Sequence, residues 1–248
     1  MVSFCITCMG RLNHLKQTLF SNIEIARSVI PDVEFVLLNY GNTPDLNQFI
    51  ESNAYLQYLT YKKQLVYLQA DAPFYREAHS KNIAHYFSSR DIVVNLDADN
   101  FLSEDYCNQV KCLHSSQMLT TQLRTGGAAG RIAMHRKIFF KLGGYDEQRP
   151  NIVTRCFIDS DLKIRACFSG IIPIIYDCKK ISVIEHDNKL RSVNFEKPLT
   201  SYTDDLITDF TGPRQTFERI LKNELTITSF TKTIVRAREG ERVYPGII

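Results

Sequence analysis

The sequence predicts an α/β fold in which helices flank a mostly parallel, Rossmann-like central sheet. Short apolar runs alternate with segments of helical periodicity over the first 120 residues, which is the pattern of consecutive βαβ units. The run at 92–96 is continuous and rich in β-branched residues, as in strands that are buried on both faces. The composition, 44% hydrophobic and 23% charged, is that of an ordinary globular protein. A chain of 248 residues therefore corresponds to one large domain or to one domain with an appendage.

Four apolar runs of strand length occur in the first hundred residues. They are the segments 2–7, 33–39, 65–69 and 92–96. Between them, apolar residues recur at the three- and four-residue intervals that form one face of a helix. The helices predicted in this way are built on Leu12, Leu15, Leu19 and Ile23, on Leu46, Phe49 and Ile50, and on Ala78, Ile83, Ala84 and Phe87. Each strand is thus followed by a helix, which is the arrangement that a parallel sheet needs.

The second half of the chain has a weaker pattern. The expected features, in chain order, are a helix capped by Ser103, a weak strand flanked by 126–127 and Gly130, a hairpin-like break at 143–144, a helix at 159–168 closed by Gly170, strands at 171–176 and 181–185, and one helix near Pro213. The glycine after the 159–168 segment is a helix C-terminal signal. Beyond residue 190 the pattern indicates a tail or lid rather than an independent domain.

Charge, cysteine usage and hydropathy exclude several classes of protein. The net charge of +3 is too small to imply a nucleic-acid partner. No apolar run approaches the roughly 20 residues that span a bilayer, and the N-terminus lacks the pattern of a secretory signal. Seven cysteines, an odd number, fit reduced thiols better than a disulfide framework. Zinc binding by Cys5 and Cys8 is disfavoured because no matching histidines accompany them.

Two Asp-x-Asp triplets are candidates for metal binding. They are Asp97 with Asp99 and Asp159 with Asp161, and about one such triplet is expected by chance in this chain. Asp97 comes directly after a predicted strand, and ligands of open α/β sheets lie beyond the carboxyl ends of strands. Two carboxylates at that position suit Mg²⁺ or Mn²⁺ together with the oxygens of a diphosphate. The alternative is a solvated turn with an incidental helix cap.

Several motifs occur in the order that is found in one enzyme family. They are Thr7-Cys8-Met9-Gly10-Arg11, Asn39-Tyr40-Gly41-Asn42, Ala78-His79-Ser80-Lys81-Asn82, Asp97-Ala98-Asp99, Gly143-Gly144-Tyr145-Asp146-Glu147 and Asp159-Ser160-Asp161-Leu162. On these residues the chain resembles the nucleotide-sugar glycosyltransferases of the A-type fold, closest to the inverting family 2 group. The resemblance covers roughly residues 2–190. It divides the chain into a transferase domain, 1–190, and a C-terminal extension, 191–248.

The resemblance implies a site for a nucleotide-sugar donor, in the first instance a UDP-sugar. The residues that it assigns to the donor are Thr7, Arg11, Asn39, Lys81, Asp97 and Asp146. Lys81 stands where an arginine is common and keeps positive charge near the diphosphate. Arg76 and Arg131 are further candidates for this role. Asp146 is assigned to the sugar hydroxyls. Solvated surface positions are the alternative for the three basic residues.

The resemblance also implies a metal ion and a catalytic base. It assigns the metal to Asp97, Asp99 and His186, and imidazole suits Mn²⁺ better than Mg²⁺. It assigns to Asp159 the base that takes the proton from the acceptor hydroxyl as that hydroxyl attacks the anomeric carbon. The alternatives are a surface histidine at His186 and an ordinary helix cap at Asp159.

Departures from the family pattern leave rival interpretations open. Asn39 and Tyr40 stand where the family has two aspartates, Ile158 replaces the glutamate before the base, and the chain has no tryptophan. One rival is therefore a degenerate transferase that serves as a glycan-binding or scaffolding module. A nucleotidyltransferase is disfavoured because the segment after the first strand contains a single glycine, Gly10.

The C-terminal extension is expected to shape the acceptor site, to act as a lid or to form an oligomer contact. Residues 214–242 hold seven basic and four acidic side chains, which could steer an anionic acceptor or form an ordinary mixed surface. Apolar residues at helical spacing predict a helix that packs on the main domain or on a second subunit. They are Phe217, Ile220, Leu221 and Leu225. The expected acceptor is the hydroxyl of a glycan, a lipid-linked glycan or another compound, and the expected location is cytoplasmic or at the inner face of a membrane.

Overall fold

The computed structural model describes residues 1–121, 130–148, 158–185, 194, 211–227 and 232–246. Within these residues the chain forms a nine-stranded sheet flanked by helices, which confirms the predicted α/β class. The strands are β1 Val2–Cys8, β2 Val33–Tyr40, β3 Leu65–Ala70, β4 Ile92–Asn95, β5 Gln117–Thr121, β6 Ile132–His135, β7 Ile172–Tyr176, β8 Thr233–Ala237 and β9 Gly240–Tyr244. Their order in the sheet is β7-β5-β6-β4-β1-β2-β3-β8-β9.

The sheet is mostly parallel. β1 pairs in parallel with β2 and β4, β2 with β3, and β5 with β7. β6 and β8 run in the opposite direction to their neighbours. Because β1, β2 and β4 are adjacent and parallel, the segments that leave their carboxyl ends meet at one edge of the sheet.

Helices connect the strands and cover both faces of the sheet. They are α1 Leu12–Val29, α2 Pro44–Ser52, α3 Ala54–Tyr61, α4 Glu77–Tyr86, α5 Glu104–Lys111, α6 Arg136–Lys141, α7 Ile158–Phe168 and α8 Thr211–Leu221, with a short 3₁₀ helix at Cys178–Lys180. The side chain of Ser103 accepts a hydrogen bond from the backbone N–H of Tyr106, which confirms the predicted cap of α5. The first four predicted strands agree with the observed ones to within one residue.

The core has two layers because strand side chains alternate between the faces of the sheet. On one face, Phe4 of β1 stacks on Phe35 of β2 with 5.2 Å between ring centroids, and α1 packs over them through Leu19. On the other face, Val36 packs with Ile83 of α4. Full burial of each such side chain contributes about 2 kcal/mol.

Three predictions about local structure need correction or lie outside the described residues. The segment 181–185 is not a strand, because it makes only the isolated bridge between Asn100 and Val183. Gly143 and Gly144 do not form a hairpin. Both have positive φ and end α6, their N–H groups donating to carbonyls of that helix. The weak strand expected beside 126–127 falls on residues that the structure does not describe.

The C-terminal extension is integrated with the main sheet. β8 pairs with β3 and forms a hairpin with β9, and α8 packs on α7. The predicted apolar face of α8 is wrong in part, since the side chains of Phe217 and Leu221 are 52% and 86% exposed. Among the described side chains of α8, Thr216 is buried and donates a hydrogen bond to Asp161 of α7. The division at residue 190 stays a prediction.

Among the described residues, none of the helices is both long and apolar enough to cross a bilayer.

Candidate active site

The candidate site lies at the carboxyl edge of the parallel strands. Asp97 and Asp99 follow β4, the fourth consecutive βαβ-type strand. Lys81 comes from α4, which packs on the adjacent β1 and β2, and Asp159 is the second residue of α7. Three distant parts of the sequence therefore bring ionisable side chains to one place.

Gly130 marks the point where these side chains converge. An ideal Cβ at Gly130 would stand 3.1 Å from Asp97 Oδ2, 3.1 Å from Asp159 Oδ2 and 3.4 Å from Lys81 Nζ. Each of these distances is at or below ordinary van der Waals contact. The absence of a side chain at Gly130 thus leaves room for the three charged groups to face one another.

Lys81 is the cation at the centre of the site. Its side chain is 2% exposed, and its Nζ donates to Glu77 Oε1 at 2.7 Å and to Asp159 Oδ1 at 3.0 Å. The ammonium also lies 5.3 Å from the ring centroid of Tyr145. Burial lowers the pKa of Lys81, but the negative charges of Asp159, Glu77 and Asp97 outweigh it and raise the pKa well above its usual value. Lys81 therefore remains charged.

The site carries an excess of negative charge, and this charge contributes to the raised pKa of Asp97. Asp97 Oδ1 accepts a hydrogen bond of 3.1 Å from Asn95 Nδ2, which in turn donates to Gly130 O at 2.9 Å. Burial raises the pKa of Asp97 to about 6; Lys81 opposes this shift, while Asp99, Asp159 and Glu77 add to it. Four carboxylates thus share one nearby ammonium.

This donor set fits a divalent cation held together with a substrate. Carboxylate oxygens are the ligands that Mg²⁺ and Mn²⁺ prefer, and the excess negative charge favours a cation. Asp99 and Asp97 are both partly exposed, and Asp99 Oδ1 accepts from Asn100 Nδ2 at 2.7 Å. Among the described residues no three metal-binding side chains form a closed cage. Two carboxylates plus diphosphate oxygens are a usual shell for Mg²⁺. His186 lies outside the described residues.

Two of the residues assigned to the nucleotide lie at the end of β1. Thr7 is partly exposed, and its Oγ1 is 2.8 Å from the hydroxyl of Tyr75. Burial raises the pKa of Tyr75 to about 12, so this phenol stays neutral. Arg11 precedes α1, its carbonyl accepts the N–H of Leu15 at 3.0 Å, and its side chain is partly exposed. Both residues therefore lie at or just after the carboxyl end of β1, which is parallel and adjacent to β4, the strand before Asp97.

The side chain of Asn39 is hydrogen-bonded to other residues of the chain. Its side chain is fully buried, its Oδ1 accepts from the backbone N–H of Thr43 at 3.0 Å, and its Nδ2 donates to Asn47 Oδ1 at 2.7 Å. Asn47 Oδ1 also accepts from the hydroxyl of Tyr67 at 2.6 Å. The amide therefore fixes the turn before α2, and a contact with a nucleobase would require it to rearrange.

Asp146 belongs to an ion-pair network beside the site. It is 1% exposed and accepts from Arg219 Nη1 at 2.5 Å. Arg165 Nε donates to Asp161 Oδ2 at 2.7 Å with both side chains fully buried, and Thr216 Oγ1 donates to Asp161 Oδ1 at 2.8 Å. The network joins the loop after α6, α7 and α8. Asp161 thus holds α7 against α8.

The two arginines that are further candidates for the diphosphate, Arg76 and Arg131, differ in their surroundings. Arg131 is 1% exposed and donates to the Phe101 carbonyl at 3.1 Å and to Asn100 Oδ1 at 3.0 Å. Its guanidinium carbon lies 5.0 Å from the ring centroid of Tyr106. It is therefore neither a surface residue nor placed to meet a diphosphate in this conformation. Arg76 precedes α4 and is partly exposed.

Sequence reasoning missed three residues of the site. Gly130 appeared only as a flank of a weak strand, because closeness to two distant aspartates has no local signal. Asn95 is the last residue of β4 and the one polar residue within the run 92–96, and a polar residue at that point was a usable sign. The spacing of Glu77 and Lys81, i and i+4 on a helix, was another.

The Cys5–Cys8 pair is not a metal or redox pair. The two side chains are buried in opposite layers of the core. Burial is the main cause that raises the pKa of Cys5 well above its usual value and that of Cys8 to about 12. Neutral thiols on opposite faces of a sheet neither bind zinc together nor form a disulfide. The placement of the two thiols therefore agrees with the sequence argument against zinc.

Comparison with solved structures identifies the fold. The mannosyltransferase PcManGT from Pyrobaculum calidifontis, in complex with GDP-Man and Mn²⁺, matches with a TM-score of 0.55 and 16% sequence identity over 71% of this chain. S. aureus TarS 1–349 in complex with UDP-GlcNAc matches with a TM-score of 0.60 and 12% identity, covering 90% of this chain and 71% of TarS 1–349. The complex of TarS 1–349 with UDP gives 0.54 and 12% over 91% of this chain and 75% of that chain.

These likenesses show a glycosyltransferase fold. The chain spans 54% of the length of the PcManGT chain that it matches. No protein-family model matches the sequence. No curated protein matches it significantly either. The structural neighbours are nucleotide-sugar glycosyltransferases, and at such identities they establish the architecture alone.

Proposed function

We propose that the protein transfers a sugar from a nucleotide-diphosphate donor, a UDP-sugar, to an acceptor hydroxyl in a metal-dependent reaction with inversion at the anomeric carbon. The observation that carries the proposal is the convergence of Asp97, Asp159 and Lys81 around Gly130, at the edge of a glycosyltransferase fold. A site of this kind needs carboxylates for a metal and one further carboxylate for a proton. The first need is met by Asp97 and Asp99, and the second by Asp159.

The metal site consists of Asp97 and Asp99. His186 is proposed as a third ligand because the sequence resemblance assigns it to the metal. A bound Mn²⁺ or Mg²⁺ offsets the negative charge of the departing diphosphate. Burial is the main cause that raises the pKa of Asp97, and the carboxylates of Asp99, Asp159 and Glu77 add to it; their negative charge supports a divalent cation here. Mn²⁺ accompanies the donor in the complex of PcManGT, which agrees with this choice.

Asp159 is proposed as the general base. It is 20% exposed, and its Oδ1 is held by Lys81 while its Oδ2 faces the space beside Gly130. The acceptor oxygen attacks the anomeric carbon, its proton passes to Asp159, and the bond from that carbon to the diphosphate breaks, with the electron pair leaving on the nucleotide. A base on the face opposite the leaving group produces inversion.

The donor is proposed to lie along the ends of β1 and β2. Thr7 and Arg11 are accessible there, and Asn39 and Asp146 are retained as proposed contacts that would act after a local rearrangement. UDP is preferred because two complexes with the same fold contain UDP-GlcNAc or UDP. GDP is the second choice, since PcManGT is seen with GDP-Man.

The acceptor is the hydroxyl of a glycan, a lipid-linked glycan or another compound, and the extension 191–248 contributes to its site, as a lid or through an oligomer contact. The six described cysteines are all unpaired, which supports a reducing compartment such as the cytoplasm.

A second candidate is a degenerate transferase that binds glycans without catalysis. The buried and internally bonded side chains of Asn39 and Asp146 favour it, because both belong to the implied donor site.

Calorimetric titration of UDP, GDP and CDP, each with and without Mn²⁺, separates the two candidates. The transferase account predicts that UDP binds and that binding requires Mn²⁺. Asp99→Asn should abolish the metal-dependent part, whereas Asp91→Asn, a matched change just before the other end of β4, should leave it intact. If folded protein binds none of the three nucleotides, the degenerate module becomes the better account.

A further inference from the structure

In the observed conformation the ammonium of Lys81 points at carboxylates of the chain rather than at solvent, from which a donor would approach. The resemblance assigns it to the diphosphate, yet its side chain is 2% exposed. Its ammonium has three N–H groups, and two carboxylates already occupy it at 2.7 and 3.0 Å. A lysine that meets a diphosphate would be expected to point its free N–H groups toward solvent. The geometry instead directs the ammonium at Asp159.

The position of Lys81 is strongly determined. A buried ammonium is costly unless it is paired, so the ion pairs with Glu77 and Asp159 hold the charge in one place. Glu77 lies one turn earlier on α4, and the ring of Tyr145 lies 5.3 Å from Nζ on another side. These contacts leave little freedom for the cation, and through it for the carboxylate of Asp159.

We propose that Lys81 is a positioning residue for the base Asp159. Lys81 binds Oδ1 and thereby turns Oδ2 toward the space beside Gly130, where the hydroxyl that loses its proton must lie. Glu77 anchors Lys81 from the other side. The inference rests on the proposed function. It changes the role of Lys81 from donor binding to orientation of the base.

This role predicts a separation of catalytic rate from donor affinity. Misplacement of a catalytic group by about 1 Å can lower the rate about 10²-fold. Removing the ammonium should therefore lower kcat and leave donor binding almost unchanged. A diphosphate-binding role predicts the reverse, a weakened donor affinity. A merely structural role predicts that both fall together with the melting temperature.

The test uses UDP-GlcNAc with Mn²⁺ and water as the acceptor. Water attacks the anomeric carbon, its proton goes to Asp159, and UDP leaves with the electron pair, so the products are GlcNAc and UDP. Lys81→Met should lower kcat about 10²-fold while KM changes less than about twofold. Lys81→Arg, which keeps the cation, should recover most of the rate. The matched control Lys137→Met, an exposed lysine of α6, should behave as wild type.

A double-mutant cycle decides whether Lys81 acts through Asp159. In an Asp159→Asn background, Lys81→Met should cost little further activity, because the group that it orients is already gone. An equal loss in both backgrounds, or a donor KM raised at least tenfold by Lys81→Met, would overturn the proposal.

The same cycle measured by denaturant unfolding does not depend on activity. It should show coupling between Lys81 and Asp159, and additive effects would also overturn the inference. A wild-type protein that neither binds nor hydrolyses any donor would instead contradict the proposed function. In that case the unfolding cycle still tells whether the ion pair exists. The two failures are therefore distinguishable.

Discussion

Gly130 is a site residue because it lacks a side chain. A methyl group there would press on Asp97 Oδ2 and Asp159 Oδ2, each 3.1 Å from the Cβ position, so one or both carboxylates must move by a few tenths of an ångström. We predict that Gly130→Ala lowers donor turnover roughly 10- to 100-fold with little loss of stability, since small shifts of catalytic groups are expensive. Turnover and thermal melting measure the two effects.

Gly170 provides the contrasting substitution. Its φ is +84°, but an added Cβ would meet nothing within 4 Å. Gly170→Ala should therefore cost about 1 kcal/mol of stability through backbone strain and leave turnover unchanged. If Gly130→Ala behaves like Gly170→Ala, the carboxylates are not confined as the structure indicates.

His85 is a second residue whose environment makes a quantitative prediction. Its Nδ1 is 2.7 Å from the carbonyl of Lys81, so Nδ1 carries the proton, and its ring stacks on Phe139 with 4.5 Å between centroids. Burial is the main cause that lowers the pKa of His85 from 6.5 to about 4; Lys81 also lowers it, while the Lys81 carbonyl and Asp159 oppose the shift. The unfolded chain therefore binds this proton more readily than the folded chain.

The consequence is a loss of stability in acid. As the pH falls from about 6.5 to about 4, protonation of the unfolded state should remove on the order of 3 kcal/mol of the unfolding free energy. His85→Gln keeps a donor for the Lys81 carbonyl but cannot titrate, so its denaturation curves should lose this part of the pH dependence. Asp97, whose pKa is raised, acts in the opposite sense in both proteins and cancels in the comparison.

The exposed His114 supplies the control for this experiment. His114→Gln should keep the acid loss of the wild type. Parallel pH curves for wild type and His85→Gln would show that His85 is not a source of the acid sensitivity.

At the scale of elements, one buried arginine joins α7 to the turn that ends α6. Arg165 of α7 pairs with Asp161 at 2.7 Å and donates to the carbonyls of Leu142 and Gly144 at 2.6 Å each. Arg165→Met removes the cation that is closest to the buried carboxylate of Asp161, together with the hydrogen bonds to two carbonyls, which should cost about 3–5 kcal/mol. Urea denaturation measures the loss.

An exposed ion pair is the natural comparison. Arg90 Nε lies 2.9 Å from Asp32 with side chains 25% and 45% exposed. Arg90→Met should change the unfolding free energy by less than about 1 kcal/mol, because solvent screens the pair. Equal losses for the two variants would mean that Arg165 does not organise the packing of α7.

The strands also show how much of the fold can be predicted from sequence patterns. β1 to β4 are predictable because parallel strands are buried on both faces and read as apolar runs. The strands β8 and β9 were missed because only Val235 of β8 and Tyr244 of β9 are buried, so the hairpin has little apolar signal. The segment 181–185 has strand-like composition but pairs through a single bridge, since pairing depends on a neighbour that the local sequence does not encode.

At the scale of the whole molecule, the sheet brings the site together. Motif order was sufficient to predict the fold and to select Asp97, Asp99 and Asp159 as candidates, and the fold is now shown. The pairing of Lys81 with Asp159 was out of reach, because 78 residues separate them and only the packing of α4 and α7 on one sheet brings them into contact. The same holds for the pairing of Asp146 with Arg219, which are 73 residues apart.

The most direct test of the account is Mn²⁺-dependent hydrolysis of UDP-GlcNAc, measured with donor binding for wild type, Asp99→Asn and Asp159→Asn. The account predicts that Asp99→Asn loses metal-dependent binding. Asp159→Asn should bind the donor as wild type does, but its turnover should fall by about 10²-fold or more, which is the scale of general-base catalysis. Wild-type binding by Asp99→Asn, or wild-type turnover by Asp159→Asn, would contradict the proposed division of roles between the two carboxylates.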